Sequence, residues 1–290
     1  MSVPIPQPPA LPFIGNVMDI DPQNGLLSLA HLSDKYGEIF KLSFFGTERY
    51  FISSVELLNE VCDEKRFCKS VSGALEEVRH GVGDGLFTAY PGEHNWEVAH
   101  RTLVPAFGPI GIHDMFDEMY DIATQLVAKW ARMGSEERIN VTDDFTRLTL
   151  DSIALCAMDK RFNSFYHEEL HPFVNAMVDF LVESGRRPRR TRLERMWNTE
   201  PQKKFERDIA TMRAVAQEVI EYRRANPSEK KDLLNALLFG KDPKTGERLT
   251  DESIMNNMIT FLIAGMYPAV NDEHADHPRS RDNLRALIIH

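Results

Sequence analysis

The chain has 290 residues, 42% hydrophobic and 27% charged, proportions that fit one or two soluble globular domains. Its 44 acidic and 34 basic residues leave a formal charge of −10, which argues against a general nucleic-acid binder, whose phosphate contacts need a basic face. Cys62, Cys68 and Cys156 show neither metal spacing nor a disulfide framework, no run of about 18 apolar residues is present, and no basic start precedes an apolar run at the N-terminus; the expectation is a cytoplasmic protein with no signal peptide and no membrane anchor.

In chain order, Pro4, Pro6, Pro8, Pro9 and Pro12 predict an extended arm that turns at Gly15-Asn16. Leu26–Tyr36 reads as a short helix ended by Gly37. Glu38–Phe45 and Arg49–Ser53, rich in Ile, Phe and Tyr around Gly46, read as a hairpin. Ser54 can cap a helix over Val55–Asp63 with Leu58, Val61 and Cys62 inward, and Ser72–His80 is another short helix. Met115, Met119, Ile122, Leu126 and Trp130 recur at steps of three or four, an amphipathic helix. Thr146–Met158, Pro172–Val182 and Lys203–Arg224 follow as helices, the last with Phe205, Ile209, Met212, Val215, Val219 and Tyr222 on one side. Asp232–Leu238 is short, and residues 241–246 are turn chemistry. The fold class is mainly α with a small N-terminal β-sheet.

The chain is organised around Thr250–Gly265. Thr250 can cap a helix that Asp251 and Glu252 favour electrostatically. Ile254, Met255, Met258, Ile259, Phe261, Leu262 and Ile263 then cover nearly every side, the mark of a buried helix. Ala264 and Gly265 make either a close-packing spot or a place where something flat meets the backbone. Pro268 should stop or kink the helix. Composition changes abruptly there, so residues 1–265 form one portion and 266–290 an unrelated polar tail. His274 and His277 read as ordinary tail rather than a metal pair.

Three stretches carry possible chemistry. Gly83–Thr88, GDGLFT, lets a loop run close to a ligand and present Leu86 and Phe87, although most such loops are only turns. In Asn95–Phe107, Trp96 and His100 share a helical face: either a packed Trp and a surface His, or two N–H donors for a carboxylate. The basic run Gly185–Arg195, with six arginines, reads as a mobile, solvated connection over the substrate entrance, or else as a contact for an acidic partner surface.

These stretches, with LPFIGN, CDEKRF, LVPAF, FTRLTLDSIALC and MITFLIAG in the same order, resemble the cytochrome P450 haem-thiolate monooxygenases, and within them the self-sufficient fatty-acid hydroxylases, whose haem domain is fused to a flavin reductase. The likeness covers roughly residues 8–265. It implies an incomplete cytochrome P450 fold in which the 250–265 helix crosses one face of the haem. It implies cofactor contacts at Lys69, Leu86, Trp96, His100, Phe107, Phe261, Ala264 and Gly265, with Trp96, His100 and Lys69 facing a propionate and Gly265 lying where the helix opens over the oxygen site. It implies a substrate channel at Ala74, Leu75, Val78, Phe87, Tyr50 and Phe51.

The departures from that family pattern are as informative. After Ala264-Gly265 the family has an acid and a threonine for proton handling; this chain has Met266, Tyr267 and Pro268. The Glu-x-x-Arg helix and the cysteine loop that ligates iron are not found in the 290 residues, and Cys62, Cys68 and Cys156 match no ligand, so no catalytic and no metal-ligating residue is assigned. FAD, FMN and NADPH would act only through a reductase that these residues do not include. Where relatives of this type hold a fatty-acid carboxylate with a basic residue and a tyrosine, this chain has Thr47 and Phe51; a one-residue shift of the hairpin would bring Arg49 and Tyr50 there. The expectation is a haem-dependent, NADPH-driven monooxygenase of fatty acids or similar apolar molecules by lineage, inactive as the 290 residues stand. The alternative is a non-catalytic helical remnant that binds an apolar ligand or has no function.

Overall fold

Leu29 and Leu32, three apart on the helix α1 (Gly25–Tyr36), meet Phe40, Leu42 and Phe51 in a small apolar core. These belong to the strands β1 (Ile39–Phe44) and β2 (Thr47–Ile52), an antiparallel hairpin running from Ile39↔Ile52 to Phe44↔Thr47 without a break. Its two-residue turn, Phe45-Gly46, holds both residues at positive φ, 49° and 84°, the geometry that matches strand twist. The Pro-rich arm lies along β1: the Lys41 amide donates to the Pro6 carbonyl, and the Asn16 side chain accepts from the Ser43 amide at 2.9 Å. Ser54 caps α2 (Val55–Val61) by accepting from the Leu57 amide, as its sequence predicts, but Cys62 is exposed rather than inward. A third strand, β3 (Leu287–Ile289), pairs antiparallel with β2.

The structure is a computed structural model that describes residues 4–21, 24–134, 138–190, 199–270 and 287–289, the side chains of Arg189, 266–270 and 287–289 excepted. It forms two compact units, one from residues 1–70 with 274–290, which holds the elements above, and one from residues 71–273. His274 and His277 lie outside the described residues.

The second unit is helical: α3 (Ala74–Val82), α4 (His94–Leu103), α5 (Pro109–Asp114), α6 (Phe116–Arg132), α7 (Val141–Met158), α8 (Pro172–Arg186), α9 (Thr199–Ala225), α10 (Leu233–Phe239) and α11 (Asp251–Val270). With the hairpin, this is a mainly α protein with one small sheet. Helix α11 packs on α7, α9, α3 and α10, and Ile254, Met258 and Leu262 are buried. Thr250 caps it by accepting from the Ser253 amide at 3.2 Å. It runs on through Pro268 to Val270. The missing N–H removes one hydrogen bond, to the Ala264 carbonyl, and only two helical residues follow it.

Helices α7, α8 and α9 are longer than their apolar patterns predict. Helix α7 begins five residues before Thr146, because Asn140 accepts from the Asp143 amide and the polar first turn hides the start. Within that turn Asp144 is buried as the acceptor for Trp130 Nε1 at 2.6 Å and for Lys129. Helix α8 continues to Arg186, and Tyr222 of α9 is exposed rather than inward. The basic run is also not a solvated connection where it is described. Arg187 donates to Glu77 at 2.6 Å and lies over the Phe205 ring at 4.4 Å, and Arg190 pairs with Glu183. The guanidinium planes find carboxylates and an aromatic face on α3, α8 and α9, so charge here fastens helices together. Residues 191–198 of the run lie outside the described residues.

Candidate functional site: an apolar face beside Trp96 and His100

The loop Gly83–Thr88 follows α3 and lies against α11. Gly83 has φ 49°, and a Cβ there would stand 2.3 Å from the Asn256 side chain; a Cβ on Gly85 would stand 2.4 Å from Thr260 Oγ1. Both glycines are therefore required by the closeness of α11. Asp84 accepts from Asn95 at 2.6 Å and from Asn256 at 2.8 Å. Arg79 closes the loop from below, donating to the Gly83 and Thr88 carbonyls and, with two arms, to Glu93.

Leu86 is held on both sides of its backbone. Its amide donates to Asn257 Oδ1 at 3.0 Å and its carbonyl accepts from Trp96 Nε1 at 3.2 Å. The Trp96 ring stacks on His100 at 4.8 Å, one helical turn on, and His100 is exposed. The two share a face of α4, as their spacing implies. The indole N–H, however, is spent on Leu86.

In and beyond this loop several apolar side chains are open to solvent. Phe87 is 58% exposed and Phe107 48% exposed, with the Phe107 ring 5.7 Å from that of Phe261 on α11. Ala264, three residues after Phe261 and so on the same helical side, is exposed too. Gly265 faces elsewhere: a Cβ on it would lie 2.9 Å from Cβ of Ile153, so its small size serves the packing of α11 on α7. Of the channel positions, Ala74 is exposed and Leu75 half-buried at the start of α3, while Val78 is buried in the core.

The remaining positions belong to the first unit. Lys69 is exposed there. Phe51 is buried in that unit's core, stacked on Phe40 at 5.3 Å. Tyr50 points to the other face of β2, where its hydroxyl donates to Glu48 at 2.9 Å and Glu48 pairs with Lys41 of β1. The unbroken ladder leaves no room for a one-residue shift, and strand alternation puts Arg49 and Tyr50 on opposite faces. They cannot grip one carboxylate side by side.

Sequence reasoning missed the polar stripe on α11. Ser253, Asn256, Asn257 and Thr260 are buried among the apolar residues, so the helix is not apolar all round. Their spacing of three and four was the available signal. Buried amides of this kind need partners, and the loop at 83–86 supplies them.

A flat apolar ring system with carboxylate edges fits this arrangement in part. The exposed Phe87, Phe107 and Ala264 and the half-buried Phe261 suit its face, and His100 suits an edge. Its iron is not matched. Among the described residues no group of three or more His, Cys, Asp and Glu is placed to hold a metal ion. Cys156 is buried on α7, its thiol donates toward the Met115 carbonyl, and burial first, then the nearby Glu118, pushes it up to about 11, the opposite of a ready thiolate. Among the described residues no helix is long and apolar enough to cross a membrane.

The family model for cytochrome P450 matches residues 5–268. The chain is 57% identical over 263 residues to a bifunctional cytochrome P450/NADPH–P450 reductase of Aspergillus oryzae, covering 91% of this chain and 24% of that protein. It is 56% identical over 269 residues to a protein of the same description from Fusarium oxysporum, covering 91% and 25%. It is 52% identical over 268 residues to a self-sufficient cytochrome P450 monooxygenase of Phanerodontia chrysosporium, covering 92% and 25%. The chain thus spans about a quarter of the length of these relatives. The chain belongs to the cytochrome P450 family.

Proposed function

We propose that residues 1–290 supply the distal wall and one propionate edge of a self-sufficient P450 monooxygenase that hydroxylates fatty acids or similar long apolar molecules. The observation that carries this reading is the exposed Phe107 paired with the half-buried Phe261, with Ala264 exposed on the same side of α11, in a unit that also exposes Phe87 and carries the Trp96–His100 stack. Leu86, Phe87, Phe107, Phe261 and Ala264 form the wall, His100 donates to the carboxylate edge, and Trp96 and Asn257 hold the loop that carries Leu86 and Phe87. Haem, when bound, supplies the activation of molecular oxygen. Electrons come from NADPH through a reductase, in keeping with the names of the relatives, with FAD and FMN as the reductase's own carriers, and the setting is cytoplasmic.

Taken on their own, the 290 residues do not insert oxygen. Oxygen cleavage needs a thiolate that pushes electron density onto the iron. The three cysteines are two exposed thiols of the first unit and one buried, protonated thiol of α7. A charge-assisted bond from His100 contributes about 1.5–3 kcal/mol, which does not replace an axial bond and an enclosing pocket. Titration of the purified chain with haemin, followed by the quenching of tryptophan emission, tests the wall. Weak binding that is lost in Phe261→Asp and reduced in His100→Ala is expected. Equal binding by both variants contradicts the assigned face.

A further inference from the structure

Helix α8 opens on His171-Pro172, and the histidine closes its first turn. Pro172, the first helical residue, has no N–H to satisfy. The Phe173 amide that follows donates to His171 Nδ1 at 3.2 Å, and the Val174 amide to the His171 carbonyl at 2.8 Å. The ring thus takes a place that Ser, Thr, Asp or Asn usually holds, and it accepts there only while Nδ1 carries no proton. Phe173 and Val174 are buried, and the His171 ring packs on the buried Phe162 with 4.4 Å between ring centres. The imidazole is faced by Glu218 of α9, which is paired with Lys160 at 2.7 Å. It is also faced by Asp151 of α7, which accepts from the Ser164 amide at 2.8 Å and hydroxyl at 2.6 Å, and by His167 on the link between α7 and α8.

We infer that His171 is a proton-sensitive cap, which keeps the first turn of α8 closed while its imidazole is neutral and releases that turn when Nδ1 takes up a proton. The protonated ring sets an N–H against the Phe173 N–H and puts a positive charge at the positive end of the helix. The Phe173 amide then lacks an acceptor in a buried position, and fraying the turn gives it water. Burial holds the imidazole below the ordinary histidine value; the Glu218 and Asp151 carboxylates work the other way, and Lys160 and His167 add to the effect of burial. The folded ring therefore takes up a proton less readily than the unfolded one. The cap contributes its full stability above the ordinary histidine pKa of about 6.5 and loses it as pH falls from there toward the lower folded value. The release is local. Two turns on, Phe180 fills the place of a side chain on Gly81, whose Cβ would stand 2.6 Å from the ring, and that contact does not titrate.

The test uses the full 290-residue chain and the variant His171→Asn, which keeps a capping acceptor that does not titrate. Hydrogen exchange is read residue by residue at about pH 7.5 and about pH 5, on either side of the ordinary histidine value, and each rate is divided by the intrinsic rate at that pH. In the parent, protection of the Phe173 amide should fall at least threefold between the two, while that of the Phe180 amide in the same helix holds. In His171→Asn the protection of Phe173 should be the same at both. Equal protection of Phe173 at the two pH values in the parent overturns the inference. So does an equal fall in the parent and in His171→Asn, or a fall in the parent that is as large at Phe180, since either is general acid destabilisation. If the variant does not fold, the parent still decides. The midpoint of the loss at Phe173 should coincide with the midpoint of the His171 Cε1–H chemical shift, and two separate midpoints overturn the inference.

Discussion

Arg101 and Asp242 are joined by two hydrogen bonds, Nε to Oδ1 at 2.8 Å and Nη2 to Oδ2 at 2.7 Å, across 141 residues of sequence. The bridge fastens the turn before α11 to α4, the helix that carries Trp96 and His100. The Arg101 guanidinium holds the Asp242 carboxyl well below the usual carboxylate range, against burial, with help from the Lys244 amide and the Thr245 hydroxyl. The folded carboxyl thus gives up its proton more readily than the unfolded one. The bridge contributes its full stability above the ordinary aspartate pKa of about 3.9 and loses it as pH falls from there toward the lower folded value. Asp242→Asn should therefore lower the urea midpoint at pH 7, and the gap to the parent should close as the pH is taken below about 3.9. A gap that stays constant from pH 7 to acid would remove the bridge from the account.

Gly265 lies against Ile153 so closely that a Cβ would approach its Cβ to 2.9 Å. Gly265→Ala should cost about 1–3 kcal/mol, the usual range for overpacking. Ala264→Ser, on the open side, should cost little. Chemical denaturation of both variants decides it. A neutral Gly265→Ala would mean that α11 and α7 are not in that contact.

Thiol reactivity separates the cysteines. Cys62 and Cys68 are exposed, whereas burial raises Cys156 to about 11. At pH 8 only about one Cys156 in a thousand carries the reactive thiolate, before access is considered. A chromogenic disulfide should label two thiols quickly in the native chain and the third only on unfolding. Fast labelling of all three would show that α7 does not bury Cys156 as described.

How much of this was legible in the sequence depends on which partner a residue needed. The burial of α11 was readable because Ile254, Met258 and Leu262 repeat on their own helix. The role of Asn257 was not, because its partner Leu86 lies 171 residues upstream and only the fold brings them together. The same holds for Arg187, whose charge suggested a solvated run until Glu77 and Phe205 came into place around it. For Phe51 and Tyr50, alternation fixed that they face opposite ways but not which face is the core; Phe40 across the ladder decides that. Trp96 and His100 were readable as a pair from their spacing, but not the diversion of the indole N–H to the Leu86 carbonyl.

The central claim is that these residues form one wall and one edge of a P450 haem site and do not themselves ligate its iron through a thiolate. Reconstitution of the purified 290-residue chain with haem, reduction, and exposure to carbon monoxide tests it most directly. The account predicts a spectrum without the thiolate-type Soret band, whether or not haem is retained. A thiolate-type band, above all one that disappears in Cys156→Ala, would contradict it.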